Sequence, residues 1–421
     1  MRFLHAADIH LGYEQYGCNE RYNDFGRAFE ALVDDALARQ VDLVLLAGDL
    51  FHKYALDPQT LLQATHQLRR LREANVCVIA IEGNHERPRY QGVLSWLDYL
   101  AECNLLVLLS PDYQAGQMSL RHWDGQSGAY LDLSEGVRVI GVKYYGAMTP
   151  RVIQDLTAEL GRLPGPRPDY TVLMLHAGLQ GILDNYSATL TRAELDPLRA
   201  YADYLALGHI HKPFIQDDWI YNPGSLETNS VAEVEWEDRG YFLVEVDPSR
   251  RPAHVVTKVC SKRRAFERLS FSVSEYDSPE ALQRALAAYI GREATPEKAA
   301  QHPVVELELR GILNFDHADL DLAQIEQMVR EAYTPITYLL RDITSPSEFS
   351  ISTDEALSRA ELERVVLREL VERDVRRRAQ SERWADMVLS LKRLALGDSP
   401  PEEIVGELRR FADLLEGEQP C

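Results

Sequence analysis

The chain is 421 residues long, 45% hydrophobic and 26% charged, with a formal net charge of −21 and five cysteines. Its length predicts two or three domains with ample chain for a large core. The cysteines (Cys18, Cys77, Cys103, Cys260, Cys421) are scattered and odd in number, which argues against a disulfide framework or a zinc ribbon and suits a reducing cytosol. No apolar run approaches a membrane span or a signal peptide, so a soluble, cytoplasmic chain with no membrane partner is expected. The acidity argues against tight autonomous binding to a polyanion, because such affinity comes from cationic contacts to phosphate.

In chain order, five segments read alike: an apolar run, then a polar tip. Phe3 to His10 ends in Asp8-Ile9-His10, Leu43 to Asp49 in Gly48-Asp49, and Val76 to His85 in Gly83-Asn84-His85-Glu86. Val172 to His176 ends in His176, and Leu205 to His211 in Gly208-His209-Ile210-His211. Each reads as a buried strand entering a loop. Phe25 to Arg39 and Pro58 to Ala74 have the apolar spacing of crossover helices. Strand tips of one layered α/β unit converge on one crevice, where such folds bind ligands. The converging groups would be two Asp, one Asn and several His, with no Cys, a set that suits two borderline-hard divalent ions such as Mn²⁺. The expected activity is that of a two-metal phosphoesterase.

Past His211 the texture turns antiparallel, with Trp219-Ile220-Tyr221, the turn Asn222-Pro223-Gly224-Ser225, and Gly240 to Val246. These predict a second sheet packed on the first. Lys262-Arg263-Arg264 marks a boundary and offers a possible phosphate contact, although short basic runs are usually only solvated. A small α+β module then follows: helix Pro279 to Ile290, strand Val304 to Leu309, helix Leu322 to Tyr333, strand Tyr338 to Ile343. Ser345-Pro346-Ser347 reads as a linker, and the remainder as helical. Trp384, Met387, Val388, Leu391 and Leu394 form one apolar stripe, and Ile404, Leu408, Phe411 and Leu415 another. Gly397 suits a helix stop, with Ser399 and Pro400 suited to an N-cap and first position. Two such short helices must bury their stripes on something, either a partner or the preceding module.

The five tips, in this order, resemble the calcineurin-like metallophosphoesterase superfamily. Arg21-Tyr22-Asn23-Asp24 leading into Ala28-Phe29, and Gly48-Asp49-Leu50-Phe51-His52, are similar to the nuclease subunit of SbcCD-type double-strand-break repair complexes (SbcD-like) and its archaeal and eukaryotic counterparts. The likeness is tight as far as Ser225 and only architectural beyond. Glu86 stands where Asp is most often met, at a position that is not a ligand in that family. The resemblance implies an α/β two-sheet sandwich flanked by helices, then a capping domain and a C-terminal helical segment, with boundaries at residues 1–260, 261–345 and 346–421. It implies that Asp8, His10, Asp49 and His211 hold one ion and Asp49, Asn84, His176 and His209 the other, with Asp49 bridging. His85 would be the catalytic histidine, stabilising the transition state and protonating the leaving alkoxide. His52 would either touch substrate or pack, and Tyr186 would either stack a base or pack.

The implied function is a Mn²⁺-dependent DNA exonuclease, 3′-to-5′ on duplex ends, and endonuclease. It would act in double-strand-break repair with a coiled-coil ATPase of the SbcC type bound by the C-terminal helices in a helix-in-groove mode, and as a homodimer. The alternative is a phosphodiesterase or phosphatase on a small nucleotide-like substrate, favoured by the acidity and opposed by the chain beyond the core. A third reading is a scaffold that lost its metals, which the intact ligand set opposes.

Overall fold

The computed structural model describes residues 1–87, 93–114, 116–183, 189–346, 358–372, 377, 380–397 and 400–416. The chain forms two compact units: Met1–Phe271 with Ala285–Glu308 and Leu322–Arg341, and Ser272–Arg284 with Leu309–Asp321 and Asp342–Cys421.

The first unit is built on two six-stranded sheets. One runs in the order His254–Cys260, Gly240–Val246, Arg2–Ala6, Leu43–Leu46, Cys77–Ala80, Val107–Leu108; its last four strands are parallel. The other runs Phe214–Gln216, Ile220–Asn222, Tyr204–Gly208, Tyr170–His176, Val137–Val142, Tyr130–Asp132, with its four central strands parallel.

Alternation along each strand explains the continuous apolar runs. Phe3, Leu43, Leu45, Ile79, Val172, Tyr204, Ala206 and Phe242 fill the layer between the sheets. Leu4, Val44, Leu46 and Val78 face the opposite way and pack with Phe29 and Leu32 of helix Asn19–Ala38 and Leu68 of helix Pro58–Glu73. In the second sheet Leu173, Leu175, Leu205 and Leu207 likewise turn outward onto Val152, Ile153 and Leu156 of helix Thr149–Leu160. A strand buried on both faces has no polar side to show, so its period-two pattern disappears from the sequence.

The strands past His211 do not make one sheet of their own. Ile220–Asn222 joins the second sheet in parallel with Tyr204–Gly208, whereas Gly240–Val246 completes the first sheet, antiparallel to Arg2–Ala6. The antiparallel texture past His211 therefore divides between two sheets that both began upstream. Apolar run length reports burial but not the neighbour across the ladder.

The strands Phe266–Ser272, Val304–Leu313 and Thr337–Pro346 form a three-stranded sheet in that order. The helices Pro279–Glu293 and Leu322–Tyr333 fall where the sequence predicts them. Ile325, Val329 and Tyr333 on the latter are fully buried. Ser345 and Pro346 end a strand rather than forming a linker, and Ser347 lies outside the described residues.

In the second unit, helices Arg359–Glu372, Ser381–Leu396 and Pro401–Glu416 follow. Arg364 pairs with Asp386 at 2.8 and 3.1 Å, and Trp384 meets Phe411 edge-to-face with ring centroids 5.1 Å apart. The two predicted stripes thus meet each other in part. Gly397 is the C-cap at φ −91°, so it ends the helix without a left-handed turn. Pro400 precedes the next helix, which begins at Pro401, and Ser399 lies outside the described residues.

Candidate metal centre

The loops that follow the parallel strands of both sheets meet at one end of the sandwich. Asp8, His10, Asp49 and His209 all have positive φ, at 53, 54, 55 and 93°. Such backbone costs of order 1 kcal/mol or more per residue and persists where surrounding structure over-determines it. A hydrogen-bonded ladder does so here. Asp8 N–H donates to the Gly48 carbonyl at 3.1 Å, Ile9 and His10 N–H to the Asp49 carbonyl at 2.9 and 3.0 Å, and Leu11 N–H to the Leu50 carbonyl at 2.9 Å. Close approach explains two motif glycines. A Cβ at Gly48 would lie 2.2 Å from His176 Nδ1, and one at Gly83 would lie 2.0 Å from Asp49 Oδ1.

The side chains converge from five loops. The Asp8 carboxylate accepts from His209 N–H at 3.1 and 3.0 Å. Asp49 Oδ1 accepts from His85 N–H at 3.0 Å, and Asp49 Oδ2 lies 3.4 Å from His176 Nε2. Asn84 Oδ1 lies 3.1 Å from His176 Nε2 and 2.9 Å from His209 Nδ1. His10 and His211 bring their Nε2 atoms within 3.1 Å of each other. Three-residue sets with donor atoms close enough to share an ion are Asp8–His10–His211, Asp8–Asp49–His176 and His10–His52–His85.

Outer partners orient two of the imidazoles. His176 Nδ1 donates to the Ala47 carbonyl at 2.7 Å, and His211 Nδ1 donates to Glu233 Oε1 at 2.8 Å. In the neutral rings this leaves Nε2 bare and aimed into the site, the arrangement in which histidines bind metals. On His176 that bare nitrogen faces two further acceptors, Asn84 Oδ1 and Asp49 Oδ2. The buried Nδ1 of His10 has no hydrogen-bond partner. Acceptors facing acceptors and an orphaned buried nitrogen are satisfied by a cation.

Electrostatics show the same preference for positive charge, with a proton on His176 standing where a cation would. Burial would lower the His176 imidazole, but the carboxylates of Asp49 and Asp8 outweigh it and hold its pKa up at about 9. Burial pushes the Asp8 carboxyl up to about 6, with Asp49 adding to the rise and His176 and His211 opposing it. Asp49 is also desolvated, yet the surrounding imidazoles, His176 first, hold it below the carboxylate range. The pocket attracts positive charge, and its nitrogen and oxygen donors without thiolate fit a pair of divalent ions.

The sequence profile of calcineurin-like phosphoesterases matches residues 1–213, half of the chain. This chain is a calcineurin-like phosphoesterase. It is 32% identical to "DNA double-strand break repair protein Mre11" of Archaeoglobus fulgidus over 55% of this chain and 52% of that protein. It is also 32% identical to the protein of the same name from Haloferax volcanii, over 74% of this chain and 61% of that protein. The phosphoesterase thus spans little more than half the length of these curated relatives. A solved calcineurin-like phosphoesterase, YfkN of Bacillus subtilis, overlays with a TM-score of 0.37 at 13% identity, covering 62% of this chain and 89% of that one.

All seven ligand candidates of the phosphoesterase, Asp8, His10, Asp49, Asn84, His176, His209 and His211, lie in this one cluster. His85 sits at its edge with its side chain 31% exposed, and its Nδ1 donates to the His52 carbonyl. His52 stacks on Tyr13, ring centroids 3.7 Å apart, and its ring lies 5.1 Å from that of His85. Burial, with the neighbouring His85, lowers the His52 pKa to about 4, so this imidazole is neutral at physiological pH. Tyr186 falls outside the described residues.

Other sequence suggestions acquire definite roles. The Glu86 carboxylate accepts from the N–H groups of Asp49 (3.1 Å), Phe51 (2.8 Å) and Gly83 (2.8 Å), which ties two site loops together. Asn222 donates to the carbonyls of Ile210 (2.6 Å) and Lys212 (3.0 Å), holding the turn that carries His209 and His211. Arg264 is engaged by Asp24 and by backbone carbonyls rather than offered to phosphate. Glu233 and Arg239 went unseen in the sequence. They lie in an acidic stretch that reads as solvated surface, and no local pattern marks either as buried.

Proposed function

We propose that this phosphoesterase is a Mn²⁺-dependent DNA nuclease of double-strand-break repair. It acts as a 3′-to-5′ exonuclease on duplex ends and as an endonuclease, with a coiled-coil ATPase subunit of the SbcC type. The similarity to proteins named for double-strand break repair, joined to a two-metal donor set, carries this reading. Asp8, His10, Asp49 and His211 would hold one ion, and Asp49, Asn84, His176 and His209 the other. Bound there, such a pair would polarise phosphoryl oxygens and lower the pKa of water enough to supply a nucleophile at neutral pH.

The chain's own groups do the rest. With Nδ1–H of His85 committed to the His52 carbonyl, its Nε2 is the atom presented to substrate, 3.9 Å from Asp49 Oδ2. As an imidazolium, His85 places charge beside the phosphate and can pass its Nε2 proton to the leaving alkoxide. Neutral His52, held by Tyr13, offers a rigid face to the nucleotide next to His85. In this scheme residues 1–260 cleave, 261–345 cap and position DNA, and the helices of 346–421 bind the ATPase; the chain is a cytoplasmic homodimer.

One observation favours a second reading, a phosphodiesterase or phosphatase for a small nucleotide-like substrate. A net charge of −21 suits a small ligand better than a duplex.

The deciding experiment is Mn²⁺-dependent degradation of a linear end-labelled duplex by wild type and His85→Ser, with metal content measured in both. Loss of about 10²-fold or more in the variant with metal retained is expected for a general acid. A wild type that hydrolyses a generic phosphodiester ester yet leaves every DNA form intact, alone and with its ATPase, would sink the nuclease reading in favour of the second.

A further inference from the structure

A buried chain of alternating charges starts at a site imidazole and ends on backbone far along the sequence. Glu233 accepts from His211 Nδ1 through Oε1 at 2.8 Å, and through Oε2 from Arg239 Nη1 at 2.8 Å and Asn229 N–H at 3.0 Å. Arg239 is fully buried and also donates to the Ser225 hydroxyl at 2.8 Å and to the carbonyls of Glu227 (3.2 Å), Glu233 (2.8 Å) and Trp236 (3.2 Å). The buried Glu227 carboxylate takes Arg21 at 3.2 Å and the Arg264 N–H at 3.2 Å. Arg21, also fully buried, pairs with Asp24 at 2.6 Å. Asp24 in turn accepts two bonds from Arg264, at 2.6 and 2.8 Å, and Arg264 Nη1 donates to the carbonyls of Gln301 (3.4 Å) and His302 (3.0 Å).

Glu233, Arg239, Glu227, Arg21, Asp24 and Arg264 alternate in sign; Arg239 reaches Glu227 through its main-chain carbonyl, and the half-exposed Arg27 adds a further cation to Asp24. Burying an ion is costly before pairing, and replacing a buried ion pair by apolar residues of similar volume is often neutral or stabilising. A chain of six is therefore a poor device for stability alone. It does hold one thing that an apolar core would not: the direction in which His211 presents Nε2. A carboxylate behind a ligating histidine fixes its tautomer and raises its basicity.

We infer that Glu233 and Arg239 are positioning residues for His211, and that the ionic chain makes metal affinity on the His211 side depend on the seating of the Gln301–His302 backbone. The inference rests on the two-metal reading. It assigns work to Arg21 and Asp24, which the chemistry of phosphate cleavage leaves unused.

The test is equilibrium titration of the full chain with Mn²⁺, following free Mn²⁺ by electron paramagnetic resonance. Wild type is compared with Glu233→Gln, Arg264→Gln and, as a control, Arg121→Gln, which breaks an exposed pair with Asp112. Thermal unfolding is recorded for each. Wild type should bind two ions. The near-isosteric Glu233→Gln should weaken one of them by about 10- to 100-fold and spare the other. Arg264→Gln should weaken the same ion by a smaller factor, and Arg121→Gln should change neither. Arg264 is partly exposed, so it keeps the test decisive if Glu233→Gln does not fold. Unchanged affinities in both variants, or loss of both ions in step with thermal stability, would overturn the inference. If Glu233→Gln alone acts, the dependence on the Gln301–His302 backbone is wrong. A wild type that takes up no Mn²⁺ would instead refute the two-metal reading beneath it.

Discussion

At the scale of single residues, the interior of the sandwich holds ionisable groups that do different work from those at its tip. His5 is fully buried, with Nδ1 3.0 Å from the Tyr204 hydroxyl and Nε2 3.0 Å from the Leu207 carbonyl. Burial lowers its pKa to about 3, and the bond to the Leu207 carbonyl only partly opposes this. The folded value lies below the unfolded one, so between these two values the unfolded chain binds more protons than the folded chain. The stabilisation is therefore complete above the unfolded pKa of about 6.5 and is lost as pH falls toward the folded value. Urea unfolding of wild type and His5→Gln should reveal this. Their stability difference should shrink by about 1–2 kcal/mol between pH 7 and pH 5. A difference that stays constant across that interval would mean that His5 takes no part in the acid response. Glu86 shows the opposite case, a carboxyl pushed up to about 8 by burial and then by the charge of Asp49, despite backbone donors that favour its ionised form.

At the scale of elements, local signals place the helices and burial gives them their faces. Helix Pro58–Glu73 opens with Asp57, whose carboxylate accepts from Thr60 N–H at 2.9 Å and from its hydroxyl at 2.6 Å. Asp57→Ala should cost about 1 kcal/mol in chemical denaturation, the usual loss for an N-cap, with an unchanged denaturant slope. A loss below a few tenths would mean that tertiary packing alone holds this end. Helix Asn19–Ala38 starts six residues before the predicted Phe25, with Arg21, Tyr22 and Asp24 buried in its first turns. Their burial depends on partners such as Glu227 and Arg264, which no window of the sequence could contain.

At the scale of the whole molecule, a net charge of −21 opposes a polyanionic substrate. Two divalent ions would set about four positive charges at the point where phosphate must approach. On the nuclease reading, duplex binding by the chain alone is therefore expected to need metal. Retention of duplex by His85→Ser in Mn²⁺ should disappear in EDTA and weaken steeply with added salt. Equal retention with and without metal would place the attraction in the protein's own cations.

The sequence by itself determined the local matters: which short runs are buried, which residue types stand at their ends, and where most helices lie. These follow from hydrophobic spacing and from donor chemistry a few residues wide, so Asp8, Asp49 and His176 were legible as candidates. Only the tertiary structure decided that Gly240–Val246 belongs beside Arg2–Ala6. Likewise, it alone brought Glu233 behind His211 and turned Arg264 from a basic-run residue into the partner of Asp24. The physical reason is common to all three. Strand neighbours and buried ion pairs are chosen by burial and charge across the folded interior, between residues that carry no mutual signal along the chain.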